Sequence, residues 1–423
     1  MTKFSIKNNP KPYKSRNNTY KGGNMRFAHL ADCHIGSWRD PKLNDIATKA
    51  FTKAVDLCID KKVDFIIIAG DLFNTSLPSI HHLKQVTKKL KQLKDENIPV
   101  YIVAGSHDFS ASGKTMLDVL ENAGLMINVA KGEEKEGKIN LKFTIDTKTG
   151  AKITGLLGKK GMLEKTYYES LNKAPLENEK GYKIFIFHSL LSEFKPKEFE
   201  KIDAHPLSFL PKNFNYYAGG HPHFVFQTKE KDYGIIAYPG PLFPNNFREL
   251  ENLQKGGFYI IENDILEWNP ILIHNVFSIR IDADHKTPEH IQKDIEENIH
   301  NQEFNNTIIT LRIEGTLGSG KISDINFKSI FQSLYSKSAY FVLKNTANLK
   351  TKEFEEIKIQ SASVEEIEEK LIKEHLGQIE ISLDEESLTK ELLNVLSAEK
   401  QEGETVAVFE KRLKDELNHI LDL

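Results

Sequence analysis

The chain has 423 residues, 39% of them hydrophobic and 28% charged, with a formal net charge of -3, a size that suits two or three domains and a sizeable core. No apolar run approaches the ~20 residues that span a bilayer, and two cysteines, Cys33 and Cys58, exclude a disulfide framework. The N-terminus lacks the charged-then-apolar layout of a secretion signal, so a reducing cytoplasm is the expected setting and no membrane partner is expected.

The small net charge hides an uneven distribution. Residues 1–25 carry six Lys or Arg and no acid, whereas residues 351–423 carry nine basic and twenty acidic residues. The overall balance gives no support to nucleic-acid binding, although a near-neutral domain can still hold a basic groove.

Residues 1–24 are rich in Lys, Asn and Gly without apolar periodicity and read as a disordered basic tail. From Met25 to about Val276, strand-like runs alternate with helical stretches. Strands are expected at 25–31, 63–69, 100–104, 152–157, 183–187, 215–218, 234–237 and 258–261, and helices at 42–61, 80–97 and 114–122. Phe65-Ile66-Ile67-Ile68-Ala69 is continuously apolar, as a strand buried on both faces requires. The alternation predicts an α/β sheet flanked by helices.

Residues 277–350 read as a separate small α+β unit, with strands at 278–281, 307–313 and 340–343 and helices at 288–299 and 323–336. A polar linker begins at 351 and runs with a helix to about 380. Ser363-Val364-Glu365-Glu366 has the pattern of a capping box. Residues 381–423 are expected to be helical, with Leu388, Leu392 and Val395 on one stripe and Phe409, Leu413, Leu417, Ile420 and Leu421 on another.

Five short motifs fall at the carboxyl ends of expected strands: Asp32-Cys33-His34, Gly70-Asp71, Gly105-Ser106-His107-Asp108, His188, and Gly219-Gly220-His221-Pro222-His223. Ligands of open α/β sheets bind at that edge. Carboxylates can bridge two cations, and imidazoles favour Mn, Fe or Zn over Mg or Ca. Two ions roughly 4 Å apart can activate water and hold phosphate oxygens for in-line displacement. In Asp-x-His and in His221-x-His223, strand alternation would send both side chains to one side. Singly, each motif has an ordinary reading: a surface turn, a helix-capping Asp, a hydrogen-bonded core histidine. Five in this order, each after an apolar strand, point to a metal centre.

In this order the motifs resemble the calcineurin-like metallophosphoesterases, a family of phosphatases, nucleotidases and nucleases. The flanking runs Phe27–Gly36, Ala69–Phe73 and Tyr238-Pro239-Gly240 resemble the double-strand-break repair nucleases of the Mre-eleven or bacterial SbcD type. The resemblance, which covers residues 25 to about 350, implies a two-sheet α/β sandwich over 25–276, a small α+β capping, DNA-binding domain over 277–350, and a helical tail at 381–423 that binds a partner. It implies two Mn2+ ions per subunit, with Mg2+ as a substitute. One ion would be held by Asp32, His34, Asp71 and His223. The other would be held by Asp71 as bridge, His188, His221 and position 106. His107 would stabilise the transition state or protonate the leaving oxygen, with Asp108 orienting it.

The implied activity is a 3'-5' exonuclease on double-stranded ends and a single-strand endonuclease, acting in double-strand-break repair. The implied partners are DNA, a Rad-fifty/SbcC-type ATPase bound through the terminal helices, and a second copy of the chain, in a nucleoid-associated setting. Two positions depart from the family pattern. Ser106 replaces an Asn, which would offer a carbonyl oxygen on a longer arm, and Asn74 stands where some relatives carry a second histidine. Another enzyme of the fold, such as a phosphatase or nucleotidase, and a DNA-bridging scaffold with a weakened site are the alternatives.

Overall fold

The apolar runs at Phe27, Phe65 and Val100 become inner strands of a six-stranded sheet in the computed structural model, which describes residues 25–110, 113, 115–351, 384–398, 400 and 404–421. In spatial order the strands are Ile265–Ile271, Gly256–Glu262, Arg26–Leu30, Phe65–Ala69, Val100–Val103 and Ile127–Asn128. Arg26–Leu30 runs parallel to Phe65–Ala69, with Phe27 opposite Phe65, and antiparallel to Gly256–Glu262. A second six-stranded sheet has the order Phe226–Lys229, Ile235–Tyr238, Tyr216–Gly220, Lys183–His188, Lys152–Gly155 and Thr144–Ile145. Its four inner strands are parallel.

Strand alternation explains how the sheets join. Phe27, Phe65, Ile67, Tyr101 and Val103 of the first sheet and Ile153, Ile184, Ile186, Tyr216 and Ala218 of the second form one buried cluster, the filling of a face-to-face sandwich. The Phe27 ring stacks on Phe65, with centroids 5.0 Å apart, and meets the edge of Tyr216 at 5.3 Å. His29 Nδ1 bonds the Tyr216 hydroxyl at 2.9 Å, and complete burial pushes the imidazole down to about 3. This histidine is therefore a neutral core residue tying the sheets together.

The alternate residues Ala28, Leu30, Ile66, Ile68 and Ile102 are equally buried, so the outer face of the first sheet is covered. Helices Ile46–Asp60 and Ile80–Asp95 supply buried stripes that include Phe51, Val55, Val86 and Leu90. The outer face of the second sheet is closed by an aromatic cluster containing Tyr168, Phe185, Phe187, Phe214, Tyr217 and Tyr238.

The chain divides into two compact units. Among the described residues, one comprises those up to Phe277 with Asn306–Thr310; the other comprises Ser278–Asn305 and those from Leu311 onward. The smaller unit is built on a sheet ordered Asn275–Asp282, Thr307–Leu317 and Ala339–Asn345, with Leu349–Thr351 parallel to Thr307–Leu317. Helix Pro288–Ile299 is capped by Thr287, whose hydroxyl accepts from the His290 N–H, and buries Ile291, Ile295 and Ile299. The expected helix at 323–336 is broken: Ile322–Asp324 is a 3-10 turn, and the α-helix starts at Phe327 because the Asn326 side chain caps it by accepting from the Ser329 N–H.

The helical C-terminal region is present as Glu385–Leu396 and Val406–Ile420, which pack on each other. Leu388, Leu392, Val395, Phe409, Leu413, Leu417 and Ile420 are half-buried. Residues 1–24 and 352–383, with the Ser363–Glu366 pattern, lie outside the described residues. Among those described, no helix is long and apolar enough to cross a membrane.

Candidate metal centre

The carboxyl ends of five strands, three from the first sheet and two from the second, present the five motifs at one edge of the sandwich. The first two loops are zipped by main-chain bonds: Asp32 N–H donates to the Gly70 carbonyl at 3.2 Å, His34 N–H to Asp71 at 3.0 Å, and Ile35 N–H to Leu72 at 3.1 Å. Strand alternation does not aim these side chains, contrary to the expectation from Asp-x-His spacing. The strands end at Leu30 and Gly220, and the backbone is left-handed at Asp32 (φ 49°), His34 (φ 42°), Asp71 (φ 51°) and His221 (φ 93°). For residues with a Cβ this conformation costs on the order of 1 kcal/mol each and is retained where surrounding structure enforces it.

Two glycines make the close approach possible. Gly70 has φ 83°, and a Cβ there would lie 2.1 Å from His188 Nδ1; one on Gly105 would lie 2.3 Å from Asp71 Oδ1.

Asp71 lies at the centre. Its Oδ2 is 3.1 Å from His188 Nε2 and 3.5 Å from His34 Nε2. Its Oδ1 accepts the His107 main-chain N–H at 2.7 Å, and Ser106 Oγ donates to Oδ2 at 3.4 Å. Asp32 accepts the His221 main-chain N–H on both oxygens, at 3.0 and 3.1 Å, and lies 3.7 Å from His223 Nε2. The His221 ring faces His188, centroids 5.2 Å apart. Three triplets have nitrogen and oxygen atoms close enough for a common cation: Asp32 with His34 and His223, Asp32 with Asp71 and His188, and His34 with Asp71 and His107. His221 and Ser106 adjoin these triplets.

Hydrogen bonding fixes which nitrogens point inward. His188 Nδ1 donates to the Ala69 carbonyl at 2.8 Å, so a neutral ring aims its Nε2 lone pair at the Asp71 carboxylate. His223 Nδ1 bonds the Glu249 carboxylate at 2.8 Å, leaving its Nε2 3.1 Å from His34 Nε2. A lone pair against a carboxylate is repulsive unless positive charge lies between, whereas the His34–His223 contact is a hydrogen bond when one of the two nitrogens carries a proton. Protons partly meet the need. Burial would depress His188, but Asp71 and Asp32 outweigh it and lift it to about 10. Burial likewise opposes charge on His223, but Glu249 and Asp32 lift it to about 9. Burial raises Asp32 to about 6, and pushes His34 to about 3. At Asp71 burial is overridden by His188, which holds the carboxyl well below the ordinary range. The cluster is therefore a converging set of imidazole nitrogens and carboxylate oxygens that fits divalent cations of the borderline class.

Two positions behave differently from expectation. The Asp108 carboxylate does not touch the His107 ring; it accepts main-chain N–H groups from Gly105 at 2.9 Å and Phe73 at 3.1 Å, locking two loops together. The His107 ring is oriented by main chain: its Nδ1 donates to the Asn74 carbonyl at 2.9 Å. Sequence reasoning also missed Glu249. That residue sits three positions after Asn246, which caps helix Phe247–Leu253, and such a spacing reads as an ordinary helix start. Its Oε1 faces His223 and its Oε2 accepts the Asn245 N–H at 2.8 Å.

Residues 25–225 match the family model described as calcineurin-like phosphoesterase. Among curated proteins, the chain is similar to the "DNA double-strand break repair protein Mre11" of several archaea. It is 27% identical to that of Archaeoglobus fulgidus over 59% of this chain and 57% of the relative. It is 30% identical to that of Methanocaldococcus jannaschii over 56% and 62%, and 26% identical to that of Sulfolobus acidocaldarius over 69% and 76%. The matches to the Archaeoglobus and Methanocaldococcus proteins thus span about three fifths of those relatives' length.

Proposed function

We propose that this chain, whose residues 25–225 match the calcineurin-like phosphoesterase family model, is a Mn-dependent, two-metal phosphodiesterase that cuts DNA. The observation that carries the reading is the Asp71 carboxylate, placed between His34 on one side and His188 on the other. A carboxylate so shared can serve two adjacent cations. One would be held by Asp32, His34, His223 and Asp71, the other by Asp71, His188, His221 and Ser106. When bound, the two ions would polarise the phosphodiester and lower the pKa of a water.

The chain's own residues supply the rest. With its Nδ1 proton held by the Asn74 carbonyl, His107 keeps Nε2 free to carry a proton to the leaving oxygen. Asp108 fixes the loop that presents this ring. Glu249 orients His223 through the carboxylate–histidine arrangement that sharpens metal ligands. Glu249→Ala should therefore weaken metal binding about 10- to 100-fold, read by titration calorimetry; unchanged affinity would remove the residue from the site.

Ser106 is the weak point of the second position. Its hydroxyl is short and makes only a 3.4 Å contact with Asp71. Two unequal Mn affinities are expected, and Ser106→Asn should bring them together and raise activity at low Mn. Two equally tight ions in the unsubstituted chain would show that Ser suffices.

The similarity to archaeal DNA double-strand break repair proteins supports DNA as the substrate; cutting of duplex ends with 3'-5' polarity and of single strands, nucleoid association, a homodimer, and a Rad-fifty/SbcC-type ATPase held by the C-terminal helices complete the proposal. Deleting residues 381–423 should abolish co-purification with that ATPase and spare cleavage of short single strands; retained co-purification would move the contact elsewhere. The substrate class is tested by assaying the Mn-loaded chain on labelled duplex and single-stranded DNA beside a phosphomonoester. Cleavage of DNA with little monoester hydrolysis is expected. Preference for the monoester would make it a phosphatase, and DNA binding without cleavage a scaffold.

A further inference from the structure

A fourth triplet of metal-type ligands lies apart from the central cluster, where helix Ile46–Asp60 begins beside the first turn of helix Ile80–Asp95. It consists of Asp45, His81 and His82. His81 Nε2 lies 3.0 Å from Asp45 Oδ1, and His82 Nδ1 lies 3.7 Å from the same oxygen. In a tetrahedral site with bonds of about 2.0–2.1 Å, ligand atoms stand about 3.4 Å apart, and these two separations bracket that value.

The tautomer of His82 follows from its neighbours. Asn44 Nδ2 donates to the Trp38 carbonyl at 2.6 Å, which identifies Asn44 Oδ1 as the atom 2.7 Å from His82 Nε2. That oxygen only accepts, so His82 Nε2 carries the proton and Nδ1 presents a lone pair toward Asp45 and the Thr48 hydroxyl, 3.1 Å away. The His82 side chain is 4% exposed and so held in place, whereas His81 and Asp45 are about half exposed. This combines a fixed nitrogen, two adjustable ligands and an open side for water. The ordinary reading is a surface His–Asp pair beside a core histidine whose Nδ1 accepts from the Thr48 hydroxyl, and it accounts for each contact singly; what points to a cation is the convergence of three ligand atoms on one spot, beside a hydroxyl that can rotate aside.

We propose that Asp45, His81 and His82 form a separate site for one borderline transition-metal cation, Zn2+ or Co2+ rather than Mg2+ or Ca2+, because two of three ligands are imidazoles. The site braces the segment that follows the Asp32–His34 loop. A Cβ on Gly36 would lie 3.1 Å from the His82 ring, and Asn44 ties that ring to Trp38, whose indole N–H donates to the Pro244 carbonyl at 3.1 Å.

The test is a metal count on the full chain, stripped with chelator, saturated with Co2+ and freed of excess by gel filtration, with the visible spectrum recorded. Expected is one equivalent more in the unsubstituted protein than in His81→Ala, and the same difference for Asp45→Asn, with loss of an intense tetrahedral Co2+ band. Equal counts and spectra in unsubstituted and His81→Ala protein would overturn the proposal. Because His81 is exposed, its variant should fold normally, which a circular-dichroism melt checks. Asp71→Asn separates this site from the central one: it should lower the count yet keep the equivalent that His81→Ala removes. If instead Asp71→Asn leaves the count unchanged, the central reading fails and the peripheral one stands.

Discussion

Replacing Asp71 with Asn should abolish DNA cleavage and strip metal from both central positions. The carboxylate approaches His188 and His34 with the same oxygen, and with the other it accepts the His107 main-chain N–H. Asn preserves shape and keeps an acceptor for that N–H, so the loop should hold. What disappears is the negative charge that lets one side chain serve two cations. Loss of metal polarisation is worth several kcal/mol of transition-state stabilisation, so turnover should fall by roughly a thousandfold or more. Metal analysis should show the same variant depleted of both ions. A variant that kept two ions and most of its activity would show that Asp71 is a structural acid.

The second large effect is expected at His107. The ring is within reach of His34 and Asp71, as a ligand would be, so geometry alone admits two roles. The Asn74 bond leaves one nitrogen free toward the site, which suits either a ligand or a proton donor. The other imidazoles already supply both positions, and His107 is more exposed than His34 or His188. His107→Ala should therefore retain both ions and lose about a hundredfold or more in turnover, the usual contribution of a positioned general acid. A substrate with a better leaving group should be less affected by the substitution. Loss of an ion in this variant would make His107 a ligand.

The sandwich was legible because its inner strands are buried on both faces. Phe65–Ala69, Val100–Val103 and the Ile184–Phe187 stretch of Lys183–His188 are apolar without interruption, and Arg26–Leu30 departs from this only at Arg26 and the core histidine His29. The strands between 127 and 145 were not legible, for the opposite reason. Gly132–Lys135 is fully exposed and pairs only with Lys138–Leu141, so no buried face marks it in the sequence. Helix Ile46–Asp60 was placed four residues early because Lys42 and Asn44 are held by Asp40 in a turn.

At the site, residue types and order were informative and geometry was not. The spacing of Asp32 and His34 suggested strand alternation, yet both residues are left-handed, a conformation imposed by main-chain bonds to the neighbouring loop. The orienting partner of His107 is a carbonyl, which carries no side-chain signature, and Glu249 reaches His223 from a helix far along the chain. Such contacts depend on tertiary packing and leave no local trace.

The proposed chemistry requires two adjacent cations that share Asp71. Crystals of the full chain grown with Mn2+ and measured at the Mn absorption edge test this directly. Two anomalous peaks about 4 Å apart are expected in the cluster, one against Asp32, His34 and His223, the other against His188, with Asp71 in contact with both. A single peak, or a pair that does not touch Asp71, would contradict it.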